Sequence, residues 1–181
     1  RNLKYWLRPA GDSMIGQPSL SGDILVTWLE STPRLDDLLL PILAEFEPGS
    51  CSVIYGNGNV ATRLPTAVPG LDWRHALVYD RREWRSHYQQ HRRQWKDRLR
   101  TISQCYSLPQ GAVELLSHHL LIASQLVTGF VGFLQLARPS VILTEFARNS
   151  LWSFLVLAAR REGIPPVTLV HGVMRQDALT F

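Results

Sequence analysis

The sequence predicts an α/β protein whose parallel sheet carries helices on both faces. Three observations predict it. Short runs rich in Val, Ile, Leu and Thr recur along the chain, apolar throughout rather than alternating. Stretches with helical apolar spacing separate them. Gly, Pro, Asn and Asp punctuate the joins. A strand covered on both faces needs no polar side, and strands alternating with helices pair in parallel through crossovers.

The elements follow in order. "GDILVTWL" (22–29) reads as a strand after a Gly-Asp turn. Glu30-Ser31-Thr32-Pro33 leads into a helical stretch over 35–46, closed by Pro48-Gly49. "CSVIY" (51–55) is a second strand running into Gly56-Asn57-Gly58-Asn59, and after a Pro-rich loop "HALVYD" (75–80) is expected as a third. Two long helices are expected over 81–104 and 112–137, parted by Leu108-Pro109-Gln110-Gly111, as an insertion spanning 81–137. "SVILTEF" (140–146) is a fourth strand. A helix over 150–163 follows, with Ser150 as N-cap and Gly163 just past its end. "VTLV" (167–170) is a fifth, buried strand. At 181 residues the chain is expected to form one domain, with no internal repeat.

The net charge of +4 is local. Between Arg81 and Arg100 eight basic residues face Glu83 and Asp97, a net of +6, so the remainder carries −2. In that segment Trp84, Tyr88, His91, Trp95, Leu99 and Ile102 recur at helical spacing, so one side packs and the other presents cations. Arg85, Arg92, Arg93 and Lys96 are the candidates for an anionic surface: lipid headgroups, a lipid-pyrophosphate acceptor or an acidic polysaccharide. A solvated helix face is the plainer reading. Nucleic acid is not expected, because the charge is confined to one helix with no binding motif.

Residues 115–137 contain no Asp, Glu, Lys or Arg and are long enough to cross a bilayer. Ser117, Ser124, Thr128 and Gln135 fall within about 20° of one line on a helix, however, which points to a core helix with one polar strip. His118 and His119 are adjacent, so their rings point to different faces, and His119 is expected in the core. Cys51 and Cys105 lie far apart without metal-type spacing, as expected in a reducing, cytoplasmic compartment. The chain shows no initiator Met and no secretory leader pattern, and a partial chain is expected.

In a parallel sheet of this kind ligands bind beyond the carboxyl ends of the strands. Ser31 and Thr32, Gly56, Gly58 and Asn59, Asp80, Glu145, Arg148 and Asn149, and His171 with Gly172 all fall there. Gly56-x-Gly58-x-x-Ala61 with Asp80 fits the spacing of a dinucleotide fingerprint, but Pro65 and Pro69 leave at most one turn of the helix it requires. His171 at a strand tip could exchange a proton with a hydroxyl or donate to a phosphate or sugar oxygen, and Gly172 lets backbone N–H groups approach a ligand. Glu145 could act as a general base or accept from sugar hydroxyls, a helix cap or an ion pair with Arg148 being its structural alternatives. There is no GxSxG, HExxH or P-loop.

One stretch resembles a known family. Glu145 at a strand end, then Ala158-Ala159-Arg160-Arg161-Glu162-Gly163-Ile164-Pro165, then a strand closing in His171-Gly172, resembles the end of the N-terminal half of GT-B glycosyltransferases, above all those that build bacterial capsule and surface polysaccharides. The match covers roughly 35 residues, and related nucleotide-sugar epimerases share the scaffold. The resemblance implies a Rossmann-like half that holds a saccharide or lipid-linked acceptor. His171, Gly172 and Glu145 would face an interdomain cleft. The nucleotide-sugar donor would sit mainly on a second, C-terminal half, expected beyond this chain, and transfer would need no metal or other cofactor. It places the protein in the cytoplasm or at the inner membrane face. The alternatives are an epimerase-like protein and a non-catalytic module that docks through its basic helix.

Overall fold

The computed structural model describes residues 20, 22–78, 81–145 and 150–169. Five strands form one all-parallel sheet. They are β1 (Ile24–Trp28), β2 (Cys51–Tyr55), β3 (Gly70–Asp72), β4 (Val141–Glu145) and β5 (Pro166–Leu169). Their spatial order is β3-β2-β1-β4-β5. Ile24 pairs with Cys51 on one side and with Val141 on the other. The sheet thus grows outward from β1 in one direction, returns, and continues from β4 in the other, which is the Rossmann-like order.

Among the described residues five helices connect the strands: α1 (Pro33–Ala44), the single turn α2 (Gly58–Ala61), α3 (Arg81–Cys105), α4 (Gln110–Ala137) and α5 (Ser150–Arg161). Helix α1 starts where Thr32 Oγ1 accepts the Leu35 N–H, with Pro33 set at its first position. Helix α5 gives way at Gly163, whose φ of +73° is the left-handed conformation expected just past a helix end.

Two apolar cores lie on opposite faces of the sheet. On one, Leu39 and Leu43 of α1 cover Val26, Trp28 and Val53. On the other, Leu126, Phe130, Phe133 and Leu134 of α4, with Trp152 and Leu155 of α5, cover Leu25, Ile54 and Ile142. Helix α3 packs on α4.

The third strand is not where the sequence predicts it. Gly70–Asp72 pairs with Val53–Tyr55 and takes the outer position beside β2. The expected strand over 75–80 begins instead as a turn at 73–75. Leu77 and Val78 then lie along α4, where the Val78 N–H donates to the Gly129 carbonyl at 3.0 Å. Gly132 permits this approach, since a Cβ there would run into the Val78 carbonyl oxygen. Asp80 lies outside the described residues. A second correction concerns β5, whose Val167 and Thr168 are exposed rather than buried, because β5 is the last strand of the sheet.

Candidate functional site at the strand-order reversal

The crevice of a doubly wound sheet opens where strand order reverses, here between β1 and β4. Two chain segments meet there. β1 delivers Leu29 and Glu30 towards Ser31 and Thr32, and β4 delivers Glu145. Their mutual position is set by the register of Thr27 with Thr144 and by the Glu145 N–H donating to Thr27 Oγ1 at 3.3 Å.

Glu145 is the central group. It is only 4 % exposed. Its Oε1 accepts two hydrogen bonds, one from the Leu29 N–H and one from the Trp152 indole N–H at 3.0 Å. The carboxyl therefore ties the end of β1 to the first turn of α5 across the reversal. Its Oε2 is buried with no hydrogen-bond partner among the described residues. Burial pushes this carboxyl above its ordinary range, the two donors pull it partly back, and the nearby Glu30 charge adds to the rise. An acid held in this way keeps its proton to higher pH than a solvated glutamate.

The β1–α1 turn is occupied by its own capping. Ser31 Oγ donates to Asp36 Oδ2 at 2.8 Å, and Thr32 caps α1. Asp36 Oδ1 is likewise buried without a partner among the described residues. Ser31 and Thr32, proposed from sequence as ligand contacts, thus shape the turn that holds Leu29 and Asp36.

At the end of β2, Gly56 is required for packing. Its N–H donates to the Trp28 carbonyl at 2.9 Å, and a Cβ on it would strike the Leu29 carbonyl oxygen. Asn57 Oδ1 accepts the N–H groups of Asn59 and Val60, so Asn57 caps the one-turn α2, while Gly58 and Asn59 are exposed. A single turn lacks the aligned N–H groups and dipole that a dinucleotide pyrophosphate needs, so the fingerprint spacing of Gly56 and Gly58 has no phosphate-binding helix behind it.

At the end of β3 the sequence reading missed a pair. Arg74 grips Asp72 with two side-chain hydrogen bonds, Nε to Oδ1 at 2.8 Å and Nη2 to Oδ2. Burial pushes the Asp72 carboxyl up, and the Arg74 hydrogen bonds and charge, aided by His75, outweigh it, so the carboxyl titrates below its ordinary range. The pair went unseen because the strand was sought five residues downstream. Trp152 was also missed, although its place seven residues after Glu145 in the following helix was a usable signal.

Arg148, Asn149, His171 and Gly172 lie outside the described residues. Arg85, Arg92, Arg93 and Lys96 are exposed on α3, far in sequence from the crevice residues. On the adjoining side of that helix Trp84 stacks on Tyr88 with centroids 5.5 Å apart, Tyr88 meets Trp95 edge-on at 5.6 Å, and Leu99 is buried. Ile102, expected on the packed side, is exposed. His119, expected in the core, is also exposed, its Nδ1 within 2.8 Å of the Leu115 carbonyl oxygen.

No protein family, curated protein or solved structure matches this chain.

Proposed function

We propose that the chain is the acceptor-side half of a GT-B glycosyltransferase that passes a sugar from a nucleotide donor to a saccharide or lipid-linked acceptor of a surface polysaccharide. The observation that carries this reading is the Glu145 carboxyl at the strand-order reversal, anchored through Oε1 and, at Oε2, without a partner among the described residues. An acceptor hydroxyl entering the crevice would supply the donor that no described residue gives Oε2. The resemblance of 145–172 to the family's cleft-lining segment supports the same reading.

The chemistry assigned to Glu145 is general-base work. As the acceptor oxygen bonds to the anomeric carbon, the bond from that carbon to the nucleotide phosphate breaks, and the hydroxyl proton passes to Oε2. The raised affinity of this carboxyl for a proton suits it to that transfer. Fixing Oε1 with two donors limits the carboxyl to one orientation, so reorganisation during reaction is small. His171, delivered by the segment after β5, is assigned to a sugar or phosphate oxygen of the cleft, and Gly172 to close backbone approach. The nucleotide itself is assigned to the second half, at the cytoplasmic face.

The test uses the natural gene product with a panel of UDP-, GDP- and dTDP-sugars and oligosaccharide acceptors, reading nucleoside diphosphate release. The expected result is acceptor-dependent release that falls on the order of 10²-fold or more in Glu145→Gln and falls also in His171→Ala, both variants melting near the wild type. No release from any donor, or full activity in both variants, overturns the proposal.

A further inference from the structure

Helix α4 is unequal along its length. Its second half forms the core under the sheet, with Phe130 and Phe133 fully buried. Its first half runs past the sheet, where Leu115 (54 %), Leu116 and Leu120 are exposed. Ile102 on the adjoining end of α3 is exposed too, and Tyr106 in the connecting turn is 75 % exposed. The span Gly111–Ala137 is apolar enough to cross a membrane by composition, yet only a third of its most apolar window is buried. These residues make up an apolar hairpin end that no described part of the chain covers.

Beside it stands the most cationic element of the molecule. At 100° per residue Arg85, Arg92, Arg93, Lys96 and Arg100 fall within an arc of about 100° on α3. The two helices are joined by the short turn at 106–109 and pack on each other, so heights from that turn can be compared. At 1.5 Å per residue Arg100 and Leu115 both stand about 9 Å from the turn, and Lys96 and Leu120 stand about 15 and about 17 Å from it. Cations and exposed leucines therefore share the same depth band on neighbouring helices. The long Lys and Arg stems can lie along apolar surface while their charges stay in a polar layer.

We infer that the α3–α4 hairpin is a bilayer-docking element, entering the interface of an anionic membrane turn-first. Tyr106, Leu115 and Leu116, nearest the turn, seat in the boundary between headgroups and acyl chains, a layer an amphipathic surface penetrates by about 5–10 Å, and Leu120 stands above them at headgroup level. The α3 cations engage lipid phosphates around them. The net charge of +6 selects an anionic lipid surface as the occupant over a second copy of the chain, which would bring two such helices together. The inference stands on the hairpin alone and holds whether or not the crevice transfers sugar.

The test is sedimentation of the protein with phosphatidylcholine vesicles, with and without phosphatidylglycerol, at low and high salt. Binding is expected to the anionic vesicles, to weaken steeply with salt, and to be near background on pure phosphatidylcholine. Arg92→Glu with Arg93→Glu should lower the partition coefficient at least roughly tenfold. Leu115→Ser with Leu116→Ser should also lower it, and both variants change exposed positions, so their circular dichroism should match the wild type. Absence of binding to anionic vesicles at low salt overturns the inference, as does binding that both double variants leave unchanged. Concentration-dependent dimerisation lost in Leu115→Ser with Leu116→Ser, without vesicle binding, assigns the surface to a second copy and also overturns it.

Discussion

The two halves of α4 follow one apolar pattern and meet opposite fates. From Leu126 onward the apolar side closes over β1, β2 and β4 and is buried. Before Ile122 a side just as apolar projects beyond the sheet and meets solvent. Even the polar strip on this helix is satisfied locally, for Ser117 and Ser124 donate to the carbonyls of Val113 and Leu121 on the helix itself. The difference teaches that helical periodicity reports which side is apolar and not what covers it. Coverage depends on where the sheet ends, and that is settled by strands far away in sequence.

The sharpest way to break this comparison is to truncate the covered half. Phe130→Ala removes a fully buried ring from the junction of α4 and the sheet. It should cost about 3–5 kcal/mol of stability, read from chemical denaturation. A cost as small as that of a surface change would mean that the second half of α4 does not pack on the sheet.

A smaller effect is expected at Glu145, which lies on the same face through Trp152. Glu145→Ala leaves the Leu29 N–H and the Trp152 indole without their acceptor, at about 1–3 kcal/mol. Glu145→Gln keeps an acceptor and should cost less. Both variants also separate from the wild type by pH. Burial raises the Glu145 pKa in the folded state, so its contribution is fully present below the unfolded value and is lost as pH rises through the folded value. Stability of Glu145→Gln relative to wild type should therefore climb across that window. A flat difference would show that the carboxyl is solvated.

The smallest effect sharpens the comparison from the other side. Leu115→Ala should change stability by no more than about 0.5 kcal/mol, because the side chain already meets water. A loss comparable to that of Phe130→Ala would mean that the first half of α4 is covered after all.

Four strands were legible in the sequence because each is an apolar run bounded by turn residues, and the helices because their caps and breakers are explicit. Pro33 opens α1 and Gly163 follows α5. The third strand was not legible. Gly70-Leu71-Asp72 is too short to show a pattern, whereas 75–78 resembles a strand and is held by α4 instead, an arrangement decided by Gly129 and Gly132 about fifty residues on. At the crevice, Glu145 could be placed at a strand end from the sequence alone. Its partners could not, since Leu29 lies 116 residues away and is reached only once β1 and β4 pair. The capping roles of Ser31 and Thr32 were hidden for a related reason. The same hydroxyls serve a helix start or a ligand, and their partners here, Asp36 for Ser31 and the Leu35 N–H for Thr32, appear only once α1 has formed.

The measurement that tests the unequal helix most directly is amide hydrogen exchange along α4, alone and with anionic vesicles. In solution the amides of 123–137 should exchange only through global unfolding. Those of 111–122 should exchange far sooner, opening from a start at Pro109 that has no side-chain cap. Vesicles should slow the second group and leave the first unchanged. Uniform protection along α4 in solution, insensitive to vesicles, would contradict the account.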